Sequence, residues 1–126
     1  MSVTESAKAS FDILKQADIP GRSFAAGEEI IRAGEPSKEM FVLRSGRVAI
    51  RIDGTTVSEV GPGGIFGEMG LIAHENRAAT VVALEPSEVI PIDERLFVVL
   101  VQDTPYFALD VMRTLVERLR AMNQRV

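Results

Sequence analysis

The chain has no cysteine and one histidine, His74, among 126 residues. The first absence excludes a disulfide framework, a thiolate nucleophile and any Cys-ligated metal. A lone histidine supplies no multi-histidine metal centre and no pair for acid–base work, which sets aside a metalloenzyme on a small barrel. Long apolar runs are also missing. The longest, Leu96 to Val101, falls far short of the ~20 residues that span a bilayer, so no membrane insertion is expected. The start, Met1-Ser2-Val3-Thr4-Glu5, lacks the basic-then-apolar pattern of a secretory signal. A cytoplasmic location is the expectation. Positive charge is in deficit, with 14 Lys and Arg against 18 Asp and Glu, net −4. That balance offers no basic face for a polyphosphate, so no nucleic-acid partner is expected. It leaves room for one small anion in a local positive site.

What is present describes one folded domain over residues 1–126. Apolar residues make up 46% and charged residues 25%, within the range of ordinary globular chains. Three zones differ in texture. Residues 4–17 carry Ala7, Phe11, Ile13, Leu14 and Ala17 at helical spacing, and Pro20-Gly21 ends the pattern, which predicts an N-terminal helix over 4–17. Residues 22–93 read as short strands between turns. Val48, Ile50 and Ile52 alternate with polar neighbours, and Asp53-Gly54 supplies the positive φ of a tight hairpin. Further strands are expected at 29–32, 40–44, 56–60, 78–84 and 88–92. This is the pattern of an α+β chain whose centre is an antiparallel β-roll or jelly-roll barrel.

Residues 94–126 turn helical. Asp93 can cap a helix through Gln102, and Asp103-Thr104-Pro105 resets the chain for a second. Along that second helix Ala108, Met112, Leu115, Leu119, Met122 and Val126 form a heptad seam. Three readings stand: the seam packs on the roll, it pairs with a second copy as a homodimer, or the helix is a mobile lid.

The segment richest in chemistry is 61–81. Its glycines carry no following lysine, so a Walker loop is excluded, and Phe66 stands where a G-x-G-x-x-G loop needs its third glycine. The remaining arrangement uses the same physics. Gly67-Glu68-Met69-Gly70 can form a helical turn whose free N–H groups face an anion, with glycines admitting close approach. Arg77, at the expected start of a strand, can fork onto two phosphate oxygens. Glu68 repels a phosphate but can accept from sugar hydroxyls.

Phe66-Gly67-Glu68-Met69 followed by Arg77-Ala78-Ala79-Thr80-Val81 resembles the phosphate-binding cassette of the cyclic nucleotide-binding domain family. The segments 40–48 and 92–97 are similar to the preceding hairpin and the helix start that follow the family pattern, so residues 20–122 are covered. The chain is similar to sensor domains of catabolite activator proteins and to domains of protein kinase A regulatory subunits. The resemblance implies a 3′,5′-cyclic nucleotide in the roll. Arg77 would pair with the cyclic phosphate and Glu68 would accept from the ribose 2′-hydroxyl. Backbone groups near Gly67, Met69, Gly70 and Ala78 would complete the cradle, Ala79 would belong to it, and Phe66 would lie beside sugar or base. Asn76 stands where many relatives have proline. Ala78, in place of the threonine of cGMP-selective relatives, implies cAMP ahead of cGMP. Arg118, Met122 and Asn123 are candidates to cap the base.

The resulting expectation is a non-catalytic cAMP sensor with no further cofactor, acting through its helices on an effector protein that the chain does not name. A jelly roll kept only for protein contacts is the alternative, as is the excised sensor part of a larger regulator or channel. A transcription factor would need a DNA-reading segment beyond Val126. On this expectation no residues are left over for an output domain, so the effector is expected elsewhere.

Overall fold

The computed structural model describes residues 19–124; the helix expected over 4–17 and the seam position Val126 lie outside the described residues. In chain order the elements are β1 (Arg22–Phe24), β2 (Glu29–Ile31), β3 (Glu39–Ser45), β4 (Val48–Ile52), β5 (Thr55–Val60), β6 (Ile65–Phe66), α1 (Glu68–Ala73), β7 (Thr80–Ala83), β8 (Ser87–Asp93), α2 (Glu94–Asp103) and α3 (Tyr106–Gln124). The strands form two antiparallel four-stranded sheets, ordered β1-β8-β3-β6 and β2-β7-β4-β5. Among the described residues no pairing joins one sheet to the other, so the roll is an open sandwich and the closed-barrel version of the expectation is corrected.

Strand β3 explains the layering. Met40, Phe41, Val42 and Leu43 are all buried, because side chains alternate between two covered faces. Phe41 and Leu43 enter the core between the sheets with Ile31, Val48, Val60, Phe66, Val81 and Val89. Met40 and Val42 turn the other way, into a second core with Ile90, Ile92, Phe107 and Val111, where the helices pack. A chain this short thus builds two apolar layers on one central strand.

Local chemistry fixes the connections. Asp53 (φ 51°) and Gly54 (φ 78°) form the two-residue turn that joins Ile52 to its partner Thr55. Asp93 caps α2, its carboxylate accepting from Leu96 N–H at 2.9 Å. Thr104 ends that helix and its carbonyl accepts from Phe107 N–H at 2.8 Å, turning the chain into α3. Phe97 and Phe107 meet edge to face at 5.5 Å, locking the two helices together.

Helix α3 turns a different face to the roll than its heptad seam suggests. Phe107 and Val111 are buried and Leu115 packs partly against them, whereas seam residues Met112 and Leu119 are 56% and 50% exposed. The strand next to the cassette is also shorter than expected. It begins at Thr80 and leaves Arg77 to Ala79 in the preceding loop.

Candidate functional site

Arg77 is held through both its backbone and its side chain. Its N–H donates to Glu35 O and its carbonyl accepts from Gly34 N–H, each at 2.8 Å, so the loop before β7 is pinned to the loop before β3. Arg77 Nη1 donates to Gly67 O at 2.9 Å and Nη2 to Glu39 O at 2.7 Å. The guanidinium also lies over the Phe41 ring, 5.8 Å from its centroid. A guanidinium carries five N–H donors, so these two bonds leave three for a ligand. Burial pushes the Arg77 guanidinium below its usual range, while the nearby Glu39 and Glu68 carboxylates pull it back up. An arginine keeps its charge through such a shift.

Two glycines make room for that side chain. Gly67 caps α1 at φ 78°, and a Cβ on it would lie 2.8 Å from Arg77 Nη1. A Cβ on Gly70 would stand 2.1 Å from Ser37 Oγ and 2.9 Å from Arg77 Nη1. Both positions demand the absence of a side chain for a stated reason, the fit of one arginine against one short helix.

Glu68 opens α1 and is 1% exposed. A buried carboxylate needs hydrogen-bond partners. Arg118, from the middle of α3, donates through Nη1 to Glu68 Oε1 and through Nη2 to Ile65 O. Glu68 Oε2 has no hydrogen-bond partner among the described residues. One acceptor of this carboxylate is therefore committed to α3, and the other is buried without a partner among the described residues.

These groups border two neighbouring cavities. The smaller, about 110 Å³, is lined by Gly67, Glu68, Met69, Gly70, Arg77, Ala78, Ala79 and Arg118, with Ile31, Ile50 and Val81 behind. The larger, about 460 Å³, lies between β4, β5 and α3; Ile50, Met69, Ala78, Ala79 and Arg118 border both. A cavity of the second size is in the range that holds a small organic ligand. Both linings are mostly apolar; the smaller cavity brings Arg77 and Arg118 together with Glu68, Glu75 and Asn76, and the larger adds Ser58, Glu59, Thr114 and Glu117.

A family profile for the cyclic nucleotide-binding domain matches residues 21–104. The chain belongs to the cyclic nucleotide-binding domain family. It is 36% identical over 97 residues to a cyclic nucleotide-gated potassium channel of Mesorhizobium japonicum, which takes in 77% of this chain and 27% of that protein. A cAMP-dependent protein kinase regulatory subunit of Yarrowia lipolytica is 39% identical over 72 residues, 57% of this chain and 19% of the relative. The chain thus spans about a quarter or less of the length of these two relatives. The crystal structure of the Thermus thermophilus catabolite activator protein superposes with a TM-score of 0.74 at 25% identity, covering 96% of this chain and 57% of that one.

Within this cyclic nucleotide-binding domain, seven of the eight residues expected at the site line the smaller cavity. Phe66 departs from the expectation. It pairs in register with Phe41, stacks on it at 5.3 Å and 23°, and is fully buried between the sheets. Phe66 shares the core between the sheets with Ile31 and Val81, which back the smaller cavity, while Ile65 beside it faces the second core with Met40 and Val42. Of the base-capping candidates, Arg118 borders both cavities, Asn123 is exposed and borders neither, and the Met122 side chain lies outside the described residues. Thr114, Glu117 and Ala121 line the larger cavity and had no sequence motif to mark them. Their signal was spacing: they share one face of α3 with Arg118.

His74 is exposed, at φ 57°, with Nε2 3.6 Å from Glu94 Oε1. Among the described residues no group of three or more His, Asp or Glu side chains could hold a metal, and no helix is long and apolar enough to cross a membrane.

Proposed function

We propose that this domain is a non-catalytic sensor of a cyclic nucleotide, cAMP ahead of cGMP, and that it reports occupancy through α3 to a partner protein. The observation that carries the reading is that Glu68, whose buried Oε2 has no hydrogen-bond partner among the described residues, and Arg77, with two of its five donors engaged, line one cavity. A cyclic phosphate satisfies Arg77, and the adjacent ribose 2′-hydroxyl donates to Glu68. The base then extends into the larger cavity against α3. Ala78 offers no hydroxyl to a guanine, which favours adenine. The ligand is the only small molecule the reading requires, and a cytoplasmic setting, where cyclic nucleotides are made, fits it.

The link to output follows from the shared carboxylate. Glu68 is bonded to Arg118 of α3 through one oxygen, and the other, buried and unpaired among the described residues, is the acceptor this reading gives to the ribose hydroxyl. Any difference in ligand affinity between two positions of α3 shifts that helix. A second copy of the chain is one candidate for what α3 meets, because Tyr106, Leu109, Met112, Val116 and Leu119 leave an apolar stripe on its outer side. Light scattering with and without ligand tests it, and a monomer in both states removes the homodimer.

Isothermal titration with cAMP and cGMP tests the sensor reading itself. Saturable heat with a preference for cAMP is expected. No heat with either nucleotide sinks it and leaves a jelly roll that serves protein contacts alone.

A further inference from the structure

The phosphate-side arginine has a support of its own on the far edge of the sheet. We propose that the ion pair between Arg22 and Glu39 positions Arg77 for its anion and so couples strand β1 to the grip on the ligand; this rests on the cyclic nucleotide reading above. Arg22 Nη1 donates to Glu39 Oε1 at 2.9 Å and Nη2 to Glu39 Oε2 at 3.3 Å, a two-point fork that a lysine cannot make. Glu39 is the first residue of β3, paired with the last residue of β8, so its peptide sits where the ladder ends and fraying begins. The carbonyl of that same residue accepts from Arg77 Nη2 at 2.7 Å. Fixing the Glu39 side chain therefore fixes the peptide that aims Arg77.

Phe41 supplies a second connection between the two arginines. The guanidinium carbon of Arg22 lies 5.9 Å from the Phe41 ring centroid and that of Arg77 lies 5.8 Å from it. Phe41 is 3% exposed and stacked on Phe66, so it is a fixed surface for both cations. Because β8 separates β1 from β3, the fork from Arg22 spans an intervening strand. Pulling β1 away would release the Glu39 peptide and loosen Arg77.

A simple field effect makes the opposite forecast for one variant, which makes the proposal testable. Glu39→Ala removes a negative charge near an anion site, and by charge alone that strengthens anion binding. Positioning requires it to weaken binding. The experiment measures cAMP affinity by calorimetry for wild type, Glu39→Ala, Arg22→Ala and Arg22→Lys. It also follows the Arg77 Nε–Hε NMR signal without ligand, assigned by its loss in Arg77→Lys. Expected are a roughly three- to tenfold weaker affinity for both alanine variants, partial recovery in Arg22→Lys, and a displaced Arg77 signal in each alanine variant. Tighter binding by Glu39→Ala, or an unmoved Arg77 signal in both alanine variants, overturns the proposal. If the wild type binds neither cAMP nor cGMP while the Arg77 signal moves, the cyclic nucleotide reading fails and the positioning of Arg77 stands.

Discussion

Arg118 and Glu68 stand 50 residues apart in the chain and share a hydrogen-bonded ion pair at the point where α3 crosses the cassette. The carboxylate is almost completely buried and the guanidinium about one-fifth exposed. Such a pair costs much to break from one side, because the remaining charge stays buried. Arg118→Ala is expected to lower stability by about 1–3 kcal/mol, since buried Glu68 then loses the guanidinium hydrogen-bonded to it. A double-mutant cycle with Glu68→Gln, read by urea unfolding, should return a coupling of about 1–3 kcal/mol. Additive losses would show that α3 is held by its apolar face alone.

Gly70 sets a steric test of the Arg77 seat. Alanine normally improves a helix position by about 1 kcal/mol over glycine. Here the added methyl meets Ser37 Oγ at 2.1 Å and Ser37 Cβ at 2.5 Å, and rotating the hydroxyl cures only the first. Overpacking costs about 1–3 kcal/mol, so the clash outweighs the propensity. Gly70→Ala should melt roughly 3–10 °C lower by calorimetric scan and bind cyclic nucleotide more weakly.

Phe66 lies among the sequence motifs of the site but belongs physically to the core. Phe66→Leu is expected to cost about 1–2 kcal/mol through lost stacking on Phe41 and a small void. Nucleotide affinity, measured below the melting range, should stay within about twofold of wild type. A large loss of affinity at unchanged stability would return Phe66 to the ligand.

Ala78 borders both cavities and offers no side-chain donor. A hydroxyl placed there can bond a guanine. Ala78→Thr should therefore raise the cGMP affinity relative to cAMP by about three- to tenfold, the value of one added hydrogen bond. Competition between the two nucleotides in equilibrium dialysis reads the ratio directly, and an unchanged ratio would separate Ala78 from the base.

Local signals made much of this legible in the sequence. Alternation in 48–52, the Asp53-Gly54 turn, the Asp93 cap and the spacing of Glu68 and Arg77 are all short-range patterns, and each has its element in the structure. β1 and β6 escaped notice because three and two residues carry too little periodicity to stand out. The apolar seam of α3 misled for a related reason. Several residues of that helix are apolar on more than one side, and only Phe107 and Val111 reveal which side the roll covers. Arg118 was legible as a candidate to cap a base, but its bond to Glu68 depends on how α3 meets α1, which no local pattern encodes. The same holds for Glu39, whose carbonyl and carboxylate serve two different arginines.

The central claim is that Arg77 grips the phosphate of a cyclic nucleotide. Its most direct test is a calorimetric titration of cAMP into wild type and Arg77→Ala side by side, with thermal melts of both. The account predicts saturable binding by the wild type and an affinity at least ten- to a hundredfold weaker in a variant that still melts cooperatively. Equal affinity in the two proteins would contradict it.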